Sequence, residues 1–329
     1  MKFKYILSVT TVIMLLVLTA CSSDETSDDN TDTDYSDFPN DTVEMLIPYP
    51  AGGGTDLVGR TIVNHLEEHF PNESSVAVEN EGGGGGVVGL TEFMKADPDG
   101  YQIALSPSSV LTVQTHQDDT PFELDTFEPI LNVSTVRQYI MVSEDSEWDT
   151  FDEFLKYAEE HPGEINISTS GEGSTQHIAL EMMNDSFDID TKHVPYDGAG
   201  EAKNAVAGGH VDAVVSPFQE DDEGTLKPLG SFSDEEGENT SDVPLLVNEG
   251  LNMSIDVYHG LYVPKETPDE IKEILHDAVK DTIDDPDFQE EFDNTQAELN
   301  FIEPEEYKEK LEELYDEIGE VMEDVGLID

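Results

Sequence analysis

The sequence predicts an α/β protein built from two lobes, and three observations lead to that prediction. Short apolar segments typical of strands alternate with amphipathic segments typical of helices, which favours mostly parallel sheets flanked by helices. Nearly every predicted strand ends in a loop rich in glycine, serine or threonine. At 329 residues the chain is long enough to divide into two such units.

The first 41 residues are expected to lie outside the folded body. Two lysines precede an apolar stretch, Tyr5–Leu18, which is shorter than a typical membrane span. The segment Leu18–Cys21 has the form of a lipobox, so we interpret residues 1–20 as a lipoprotein signal peptide and Cys21 as the acylated residue. A plain signal peptide or an anchor helix is the alternative. Residues 21–41 are acidic and polar, which predicts a disordered tether.

The charge of the chain is extreme, with 14 basic and 76 acidic residues and a formal net charge of −62. The acidic residues are spread along the chain, which is typical of the hydrated surface of a halophilic protein. Nothing in this composition neutralises phosphates, so nucleic acid is excluded as a partner. Cys21 is the only cysteine, which excludes an internal disulfide and a thiolate metal cage.

The first unit is organised around the segment Met45–Arg60, MLIPYPAGGGTDLVGR. A short strand is followed by three glycines and the start of a helix, and glycine lets the backbone approach a ligand closely. The unpaired N–H groups of the first helical turn point to the same place and carry a partial positive charge. The segment therefore predicts an anion-binding loop.

Two further loops of this kind follow in the first unit. A predicted strand at Val76–Glu79 leads into Gly82–Gly86 and a helix, and another at Tyr101–Leu105 leads into Ser106–Ser109. In parallel α/β sheets, ligands bind beyond the carboxyl ends of the strands. We therefore expect the three loops to form one wall of a binding cleft.

The second unit repeats this design from about residue 134. A predicted strand at Gln138–Val142 precedes a helix that Thr150 is expected to cap. Later strands end in small or hydroxyl-rich loops, and they are predicted at Ile165–Ser168, Lys192–Pro195 and Val211–Val215. These loops would form the opposite wall of the cleft.

The C-terminal part returns to helices. Thr267 begins a sequence with the form of a capping box, with proline at the first helical position. A long acidic helix is predicted over Glu305–Val325, with Gly326 as its stop. Its expected buried stripe is Tyr307, Leu311, Leu314, Ile318 and Met322.

Nucleotide-binding motifs are incomplete in this chain. A Walker A loop requires a lysine after its glycines, but Thr55 is followed by Asp56. Gly84–Gly89 fits the pattern G-x-G-x-x-G, yet the next predicted strand ends at Ser106 instead of the acidic residue that binds a ribose. We expect no nucleotide cofactor.

Metal and hydrolase chemistry also lack support. His65 and His69 are four residues apart, but they are interpreted as part of a solvated helix face, and no cysteine is available as a further ligand. Ser174 and His177 lie close in sequence without the glycine elbow of a hydrolase. We therefore expect no metal and no enzymatic activity.

Seven segments between residues 47 and 268 share a family pattern: IPYPAGGGTDLVGR, VENEGGGGGVVG, ADPDGYQIAL, STSGEGSTQHIA, VPYDGAGEAKNAVAGGHVDAVV, DVPLLVNEGL and GLYVPKETP. Together they resemble the substrate-binding receptors of tripartite tricarboxylate transporters, also called Bug receptors. The resemblance covers nearly all of the chain after the tether and implies a two-lobed periplasmic-binding-protein fold of the Venus-flytrap type. Lobe 1 would comprise residues 42–133 and 258–329, and lobe 2 residues 134–257.

The resemblance also implies a function. The chain would bind a small carboxylate between its lobes and deliver it to the membrane permease subunits of the transporter. It would be exported, anchored by lipid on the outer side of the cell membrane, and monomeric. Closure of the lobes would hinge near Val133–Thr135 and Ile255–Gly260. An exported sensor for a signalling protein, or an exported enzyme using the same cleft, is the alternative.

Ligand-binding residues are carried over from the family's motifs. The implied contacts are Tyr49, Ala51, Gly52, Thr55, Asp56, Ser170, Gly173, Ser174, His177, Tyr196 and Gly198, with Ser106 and Ser108 as further contacts. For Asp56 and His177 the alternative is a structural role in holding the loops. Acidic loops at Gln219–Asp222 and Gly237–Ser241 depart from the family pattern and leave the identity of the ligand open.

Overall fold

The computed structural model describes residues 35–328, except 118–119, 220–221, 223, 238–239 and 296. The predicted signal peptide, Cys21 and most of the tether lie outside the described residues. Within the described part, no helix combines the length and apolar character that a membrane span requires. Phe38 is buried with its ring 5.1 Å from that of Tyr101, so the packed body begins before residue 42.

The described residues contain eleven strands, which form two sheets. The strands are β1 (Val43–Ile47), β2 (Val76–Asn80), β3 (Gln102–Pro107), β4 (Phe127–Val136), β5 (Tyr139–Ser143), β6 (Asn166–Thr169), β7 (Lys192–Pro195), β8 (Ala213–Ser216), β9 (Leu226–Ser231), β10 (Val257–Pro264) and β11 (Glu298–Ile302).

The same residues contain eleven α-helices, which cover the sheets. They are α1 (Gly54–Leu66), α2 (Val87–Phe93), α3 (Ser109–Thr112), α4 (Gln114–Gln117), α5 (Phe151–Glu160), α6 (Thr175–Phe187), α7 (Ala199–Ala207), α8 (Leu246–Glu249), α9 (Asp269–Ile283), α10 (Pro286–Phe292) and α11 (Pro304–Asp324).

Each sheet forms the centre of one lobe. The first has the strand order β11-β4-β10-β3-β1-β2 and the second the order β7-β6-β8-β5-β9. The chain leaves the first sheet after β4 and returns to it at β10, so it crosses twice between the lobes. The predicted two-lobed α/β fold is confirmed.

The sheets are mixed, and the expectation of mostly parallel sheets was wrong. Among the strands that sequence periodicity predicted, the pairs β1–β2, β1–β3, β6–β7 and β6–β8 are parallel, whereas β5–β8 is antiparallel. The strands β4, β9, β10 and β11 were not predicted, and each of them pairs antiparallel. β5 and β10 each follow a crossing between the lobes instead of a βαβ connection, which would enforce parallel pairing.

Helix faces follow the predicted spacing with two corrections. The predicted stripe of α11 is buried. For the first helix the spacing predicts a buried stripe of Leu57, Ile62, Leu66 and Phe70; the last three are buried, but Leu57 is 40% exposed and Val58 packs inward instead. Thr150 accepts a hydrogen bond from the N–H of Glu153 and caps α5 as predicted. Thr267 does not cap α9, because Pro268 occupies the N-cap position.

Candidate functional site

A cavity of about 330 Å³ is lined by residues of both lobes. The loops after β1, β2 and β3 supply Tyr49, Thr55, Gly85 and Ser109. The second lobe supplies the start of α6 and the segment after β8, and the crossing between β4 and β5 supplies Gln138. The cavity therefore lies where the carboxyl ends of the parallel strands were expected to form a cleft.

Tyr49 joins the first two loops of lobe 1. Its hydroxyl donates to the carbonyl oxygen of Gly85 at 2.8 Å. Gly85 has a φ of +61°, which favours glycine, and a Cβ atom there would lie 2.7 Å from Oε1 of Gln114 and displace that side chain. Burial raises the pKa of Tyr49 to about 12, so the hydroxyl keeps its proton at neutral pH.

The N-terminus of α1 faces the cavity through Gly54 and Thr55. Asp56 turns away from the cavity and holds the loop: its carboxylate accepts from the N–H of Gly52 at 2.7 Å, from Arg60 and from Asn80. Burial raises the pKa of Asp56, but these hydrogen bonds outweigh it, and the pKa lies below its ordinary value. All described contacts of Asp56 are therefore with the protein itself, as expected if Asp56 holds the loop and does not contact the ligand.

The N-terminus of α6 faces the cavity from the other lobe, through Ser174, Thr175 and Gln176. Ser174 caps the helix, since its Oγ accepts from the N–H of His177. Its neighbour Gln176 belongs to a chain of hydrogen bonds in which Ser170 Oγ donates to Gln176, Gln176 donates to Gln138, and Gln138 donates to the carbonyl of Val136. These three hydrogen bonds connect the lobe 2 loop to the segment that crosses between the lobes.

His177 supports the same loop from behind. Its Nδ1 accepts a hydrogen bond from the N–H of Gly173 at 3.0 Å, and its ring stacks on that of His193 with centroids 3.8 Å apart. Burial, and then the neighbouring His177, lowers the pKa of His193 to about 4. Both contacts of His177 are with other residues of the protein, as expected if His177 holds the loop in place.

His259, on β10, reaches the cavity from the first sheet. Its side chain is buried, with Nδ1 3.0 Å from Ser134 Oγ and Nε2 3.4 Å from Thr55 Oγ1. Burial lowers the pKa of His259 to about 4, so the imidazole is neutral at pH 7. It is the one imidazole in the described lining.

The described lining contains no aspartate, glutamate, lysine or arginine. In a chain with a net charge of −62, this cavity is a neutral region surrounded by an acidic surface. Two helix N-termini, four glutamine side chains and several hydroxyl groups face it. Such a site can hold an anion through N–H and O–H donors without a side-chain cation.

Of the predicted contacts, the structure places Tyr49, Thr55 and Ser174 in the lining. Ala51 and Gly52 lie in the exposed loop before α1. Ser106 and Ser108 are buried beside the cavity, where Ser108 accepts from the N–H of Tyr258. Behind the lining lie Ser170, Gly173 and His177, and the next loop of lobe 2 contains Tyr196 and Gly198. Ligand contact stays a prediction for all of these residues.

Sequence reasoning missed the amide side chains and the histidine of the lining, which are Gln114, Gln138, Gln176, Gln219 and His259. Gln176 is the second residue of α6 and follows a loop rich in glycine and serine, so its place at a helix N-terminus could be predicted from sequence. His259 is a lone polar residue inside an apolar strand, which is a weaker signal. Gln114 and Gln219 have no local signal, because only the tertiary fold brings them to the cavity.

A metal site is not supported by the geometry. Among the described residues, no group of three or more histidine, cysteine, aspartate or glutamate side chains is arranged to hold a metal ion.

Known proteins resemble this chain in sequence and in fold over most of its length. A UPF0065 protein of Bordetella pertussis is 25% identical over 296 residues, covering 88% of this chain and 91% of that protein. A TctC solute binding protein from Polaromonas has a TM-score of 0.80 at 27% identity, covering 87% of this chain and 99% of the other. The periplasmic binding protein BugD has a TM-score of 0.70 at 27% identity, covering 88% and 99%.

Two Rhodopseudomonas palustris proteins share the fold, one solved with adipate and the other, MatC, with malate. They are 21% and 23% identical, with TM-scores of 0.73 and 0.68, and each match covers 99% of that protein and 88% or 86% of this chain. At these identities the likeness concerns the fold alone. The family model described as the tripartite tricarboxylate transporter family receptor matches residues 58–327. Because that match covers well over half of the chain, the chain belongs to this family of periplasmic solute-binding receptors.

Proposed function

We propose that this receptor binds a small carboxylate in the cavity between its lobes and delivers it to the membrane subunits of a tripartite transporter, without catalysing a reaction. The observation that carries the proposal is the meeting of two helix N-termini, those of α1 and α6, at a cavity whose described lining has no charged side chain. Helix N-termini bind anions through unpaired N–H groups and their partial positive charge.

Neutral side chains supply the remaining donors. Thr55 and Ser109 present hydroxyl groups on the lobe 1 side, and Gln138 and Gln176 present amides on the lobe 2 side. Hydrogen bonds to an ionised oxygen are shorter and stronger than those to a neutral one. A carboxylate would therefore gain more from this lining than an uncharged ligand of the same shape.

The size of the cavity favours a small acid. Its volume of about 330 Å³ is near the lower end of the range for small-molecule sites, roughly 300–1,000 Å³. Adipate and malate, which the two fold relatives hold, are dicarboxylates of small size. Since those relatives share the fold alone, the proposal of a carboxylate rests on the family and on the donors of the lining.

We propose that the lobes comprise residues 42–133 plus 258–329 and residues 134–257, and that they close around the ligand near Val133–Thr135 and Ile255–Gly260. Ionic contacts gather at these crossings. Arg137 lies directly after β4, its Nε is 2.9 Å from Glu298 Oε2, and its Nη1 is 3.6 Å from Asp256 Oδ2.

Acylation of Cys21 would hold the monomeric receptor on the outer side of the membrane, within reach of the permease. One lipid chain alone binds a membrane only weakly, so anchoring would need the additional acyl chains of a mature lipoprotein. Mass spectrometry of the membrane-extracted protein tests this directly. An unmodified Cys21, or a chain that still contains residues 1–20, would rule out the lipoprotein interpretation.

A thermal-shift panel on the full-length chain, kept in mild detergent at molar salt, tests the ligand class. The panel contains succinate, citrate, benzoate, glutamate, glucose and NAD. A specific ligand at a concentration of 100 Kd stabilises the folded state by about 2.7 kcal/mol, which raises the melting temperature clearly. The proposal predicts a rise with one class of carboxylate. A rise with NAD or glucose and with no carboxylate would contradict it.

A pair of variants localises the effect. Ser109→Trp places an indole group in the cavity and is expected to abolish the rise, because Ser109 is part of the lining. Glu270→Trp, on an exposed position of α9, is the matched control and is expected to retain it. If Ser109→Trp still responds to the ligand, the binding site lies elsewhere.

A further inference from the structure

His259 is placed to touch a ligand directly. Its strand, β10, lies between β3 and β4 in the first sheet, and its side chain is only 4% exposed although it reaches the cavity. Nδ1 lies 3.0 Å from Ser134 Oγ, whereas Nε2 is 3.4 Å from Thr55 Oγ1, a long and weak contact. A ligand oxygen could therefore replace or share the contact at Nε2.

Both ring nitrogens of His259 face hydroxyl groups. A hydroxyl donates to a bare nitrogen and accepts from an N–H by rotating its hydrogen, without movement of heavy atoms. Ser134 and Thr55 can therefore satisfy the neutral imidazole and the imidazolium equally well. His177 differs, because its Nδ1 accepts from a backbone N–H and would lose that hydrogen bond on protonation.

Burial is the single cause of the low pKa of His259, about 4. Ionisable groups occur on the elements around it, but none of them hydrogen-bonds to the imidazole within the described structure; they are Tyr49, Asp56, Arg137, Asp256, Tyr258, Glu298 and Tyr307. Asp56 is occupied by Gly52, Arg60 and Asn80. The imidazole therefore lacks a counter-ion until an anion enters the cavity.

We propose that His259 is the charge partner of the ligand: a bound carboxylate accepts a hydrogen bond from Nε2, and the imidazole takes up one proton from solvent as the ligand binds. The inference rests on the proposed carboxylate function and adds to it a residue that selects for anions. The His259 side chain is thereby cationic only when the ligand's carboxylate is bound next to it, so the empty receptor has no cation in the cavity to attract the chain's own carboxylates.

A buried anion next to an imidazole raises the pKa of the imidazole, since it stabilises the charged form. Binding and protonation are then linked. Because the bound state holds one more proton than the free state, affinity rises as the pH falls. In the window between the free pKa of about 4 and the higher pKa of the complex, the Kd should change about tenfold per pH unit. Above the pKa of the complex the Kd should be constant.

Isothermal titration calorimetry on the full-length receptor at molar salt tests this, with succinate, glutamate and benzoate as probes. Each probe that binds is titrated near neutral pH in phosphate and in Tris, two buffers whose ionisation enthalpies differ. The proposal predicts that the observed enthalpy depends on the buffer in the direction of proton uptake, by up to one proton per ligand. His259→Gln is expected to abolish the uptake and to bind at least tenfold more weakly at the lower pH values.

His210→Gln is the matched control, because His210 is an exposed histidine that lies outside the described lining. It should keep the proton uptake. Histidine C–H signals in NMR give a second readout on the wild type, where one imidazole should titrate at a higher pH when the probe is bound. This signal is assigned by its absence in His259→Gln, and it keeps the test decisive if that variant binds nothing.

Binding of a probe with no buffer dependence and no shifted histidine signal would overturn the role of His259 and leave the carboxylate function intact. Proton uptake that survives in His259→Gln or disappears in His210→Gln would also overturn it. If none of the three carboxylates binds, the proposed function itself fails, and this inference fails with it.

Discussion

The side-chain Nε2 of Gln117 donates a hydrogen bond of 2.6 Å to the carbonyl oxygen of Gly173. Gln117 ends α4 in lobe 1, and Gly173 belongs to the lobe 2 loop that leads into α6. A Cβ atom on Gly173 would lie 2.7 Å from the same Nε2, and the φ of Gly173 is +70°. The contact between the lobes therefore depends on the absence of a side chain at this position.

Replacement of Gly173 by alanine should weaken ligand binding at least tenfold. The substitution costs about 1–2 kcal/mol of backbone strain at positive φ, and it also displaces Gln117. Both effects move the loop that positions Ser174 and the start of α6. Calorimetric titration with the best probe measures the loss, while Gly200→Ala, where a Cβ meets nothing within 4 Å, should bind normally. Equal binding by both variants would show that the loop position does not matter.

Thr55→Val should reduce the affinity for the carboxylate roughly fivefold to tenfold, as expected for the loss of about 1 kcal/mol from one hydrogen bond. The change removes a hydroxyl from the lining while it retains most of the side-chain volume. Thr91→Val is the control, because the Thr91 hydroxyl donates to Val87 within α2 and has no part in the described lining. Unchanged affinity in Thr55→Val would remove Thr55 from the set of ligand contacts.

Asp256 should make stability depend on pH. Burial raises its pKa to about 6, which outweighs the hydrogen bond from Ser233 and the charge of Arg137. The folded state therefore holds a proton that the unfolded state releases near pH 4. The stabilisation is complete below about pH 4 and disappears as the pH rises through about 6, with a magnitude of about 2–3 kcal/mol.

Denaturant unfolding of wild type and Asp256→Asn at several pH values measures this term as a difference. The variant should gain stability relative to the wild type as the pH rises from about 4 to about 7. Asp281→Asn, at an exposed position of α9, provides the control. A stability difference between wild type and Asp256→Asn that does not change with pH would show that the buried carboxyl keeps an ordinary pKa.

Salt should support binding in this receptor. With a net charge of −62, the surface repels an anionic ligand at low ionic strength. At about 1 M salt the Debye length falls to roughly 3 Å, and this repulsion is screened. We expect the carboxylate affinity to hold or improve from low to molar sodium chloride. A steady weakening over that range, measured by calorimetry, would mean that an exposed cation attracts the ligand.

Local signals were sufficient to predict the loops of the site but not its whole lining. Glycine runs and capping serines act over a few residues, so Thr55, Gly85 and Ser174 could be placed at strand or helix ends from sequence. His259 reaches the cavity only because β10 pairs between β3 and β4, more than a hundred residues away along the chain. Such long-range pairing leaves no periodic pattern near His259.

The same cause explains the error in strand direction. The helix-linked strands of each lobe show the alternation that predicts parallel pairing, but β4 and β10 are buried strands next to the lobe crossings. A buried strand reads as a continuous apolar run, which periodicity alone does not distinguish from other buried segments. Without these strands, the first lobe looks more parallel than it is. In the second lobe the strands β5 and β8 were predicted, but their antiparallel direction depends on the lobe crossing before β5.

The most direct test of carboxylate recognition compares a carboxylate with its carboxamide. The strongest carboxylate from the thermal-shift panel and the amide of the same skeleton are titrated calorimetrically into the full-length receptor at molar salt. The two ligands have nearly the same shape and differ in charge at one end. We expect the amide to bind at least tenfold more weakly, because hydrogen bonds to a charged group contribute about 1.5–3 kcal/mol each. An amide that binds as tightly as the carboxylate would contradict the claim that the cavity recognises an anion.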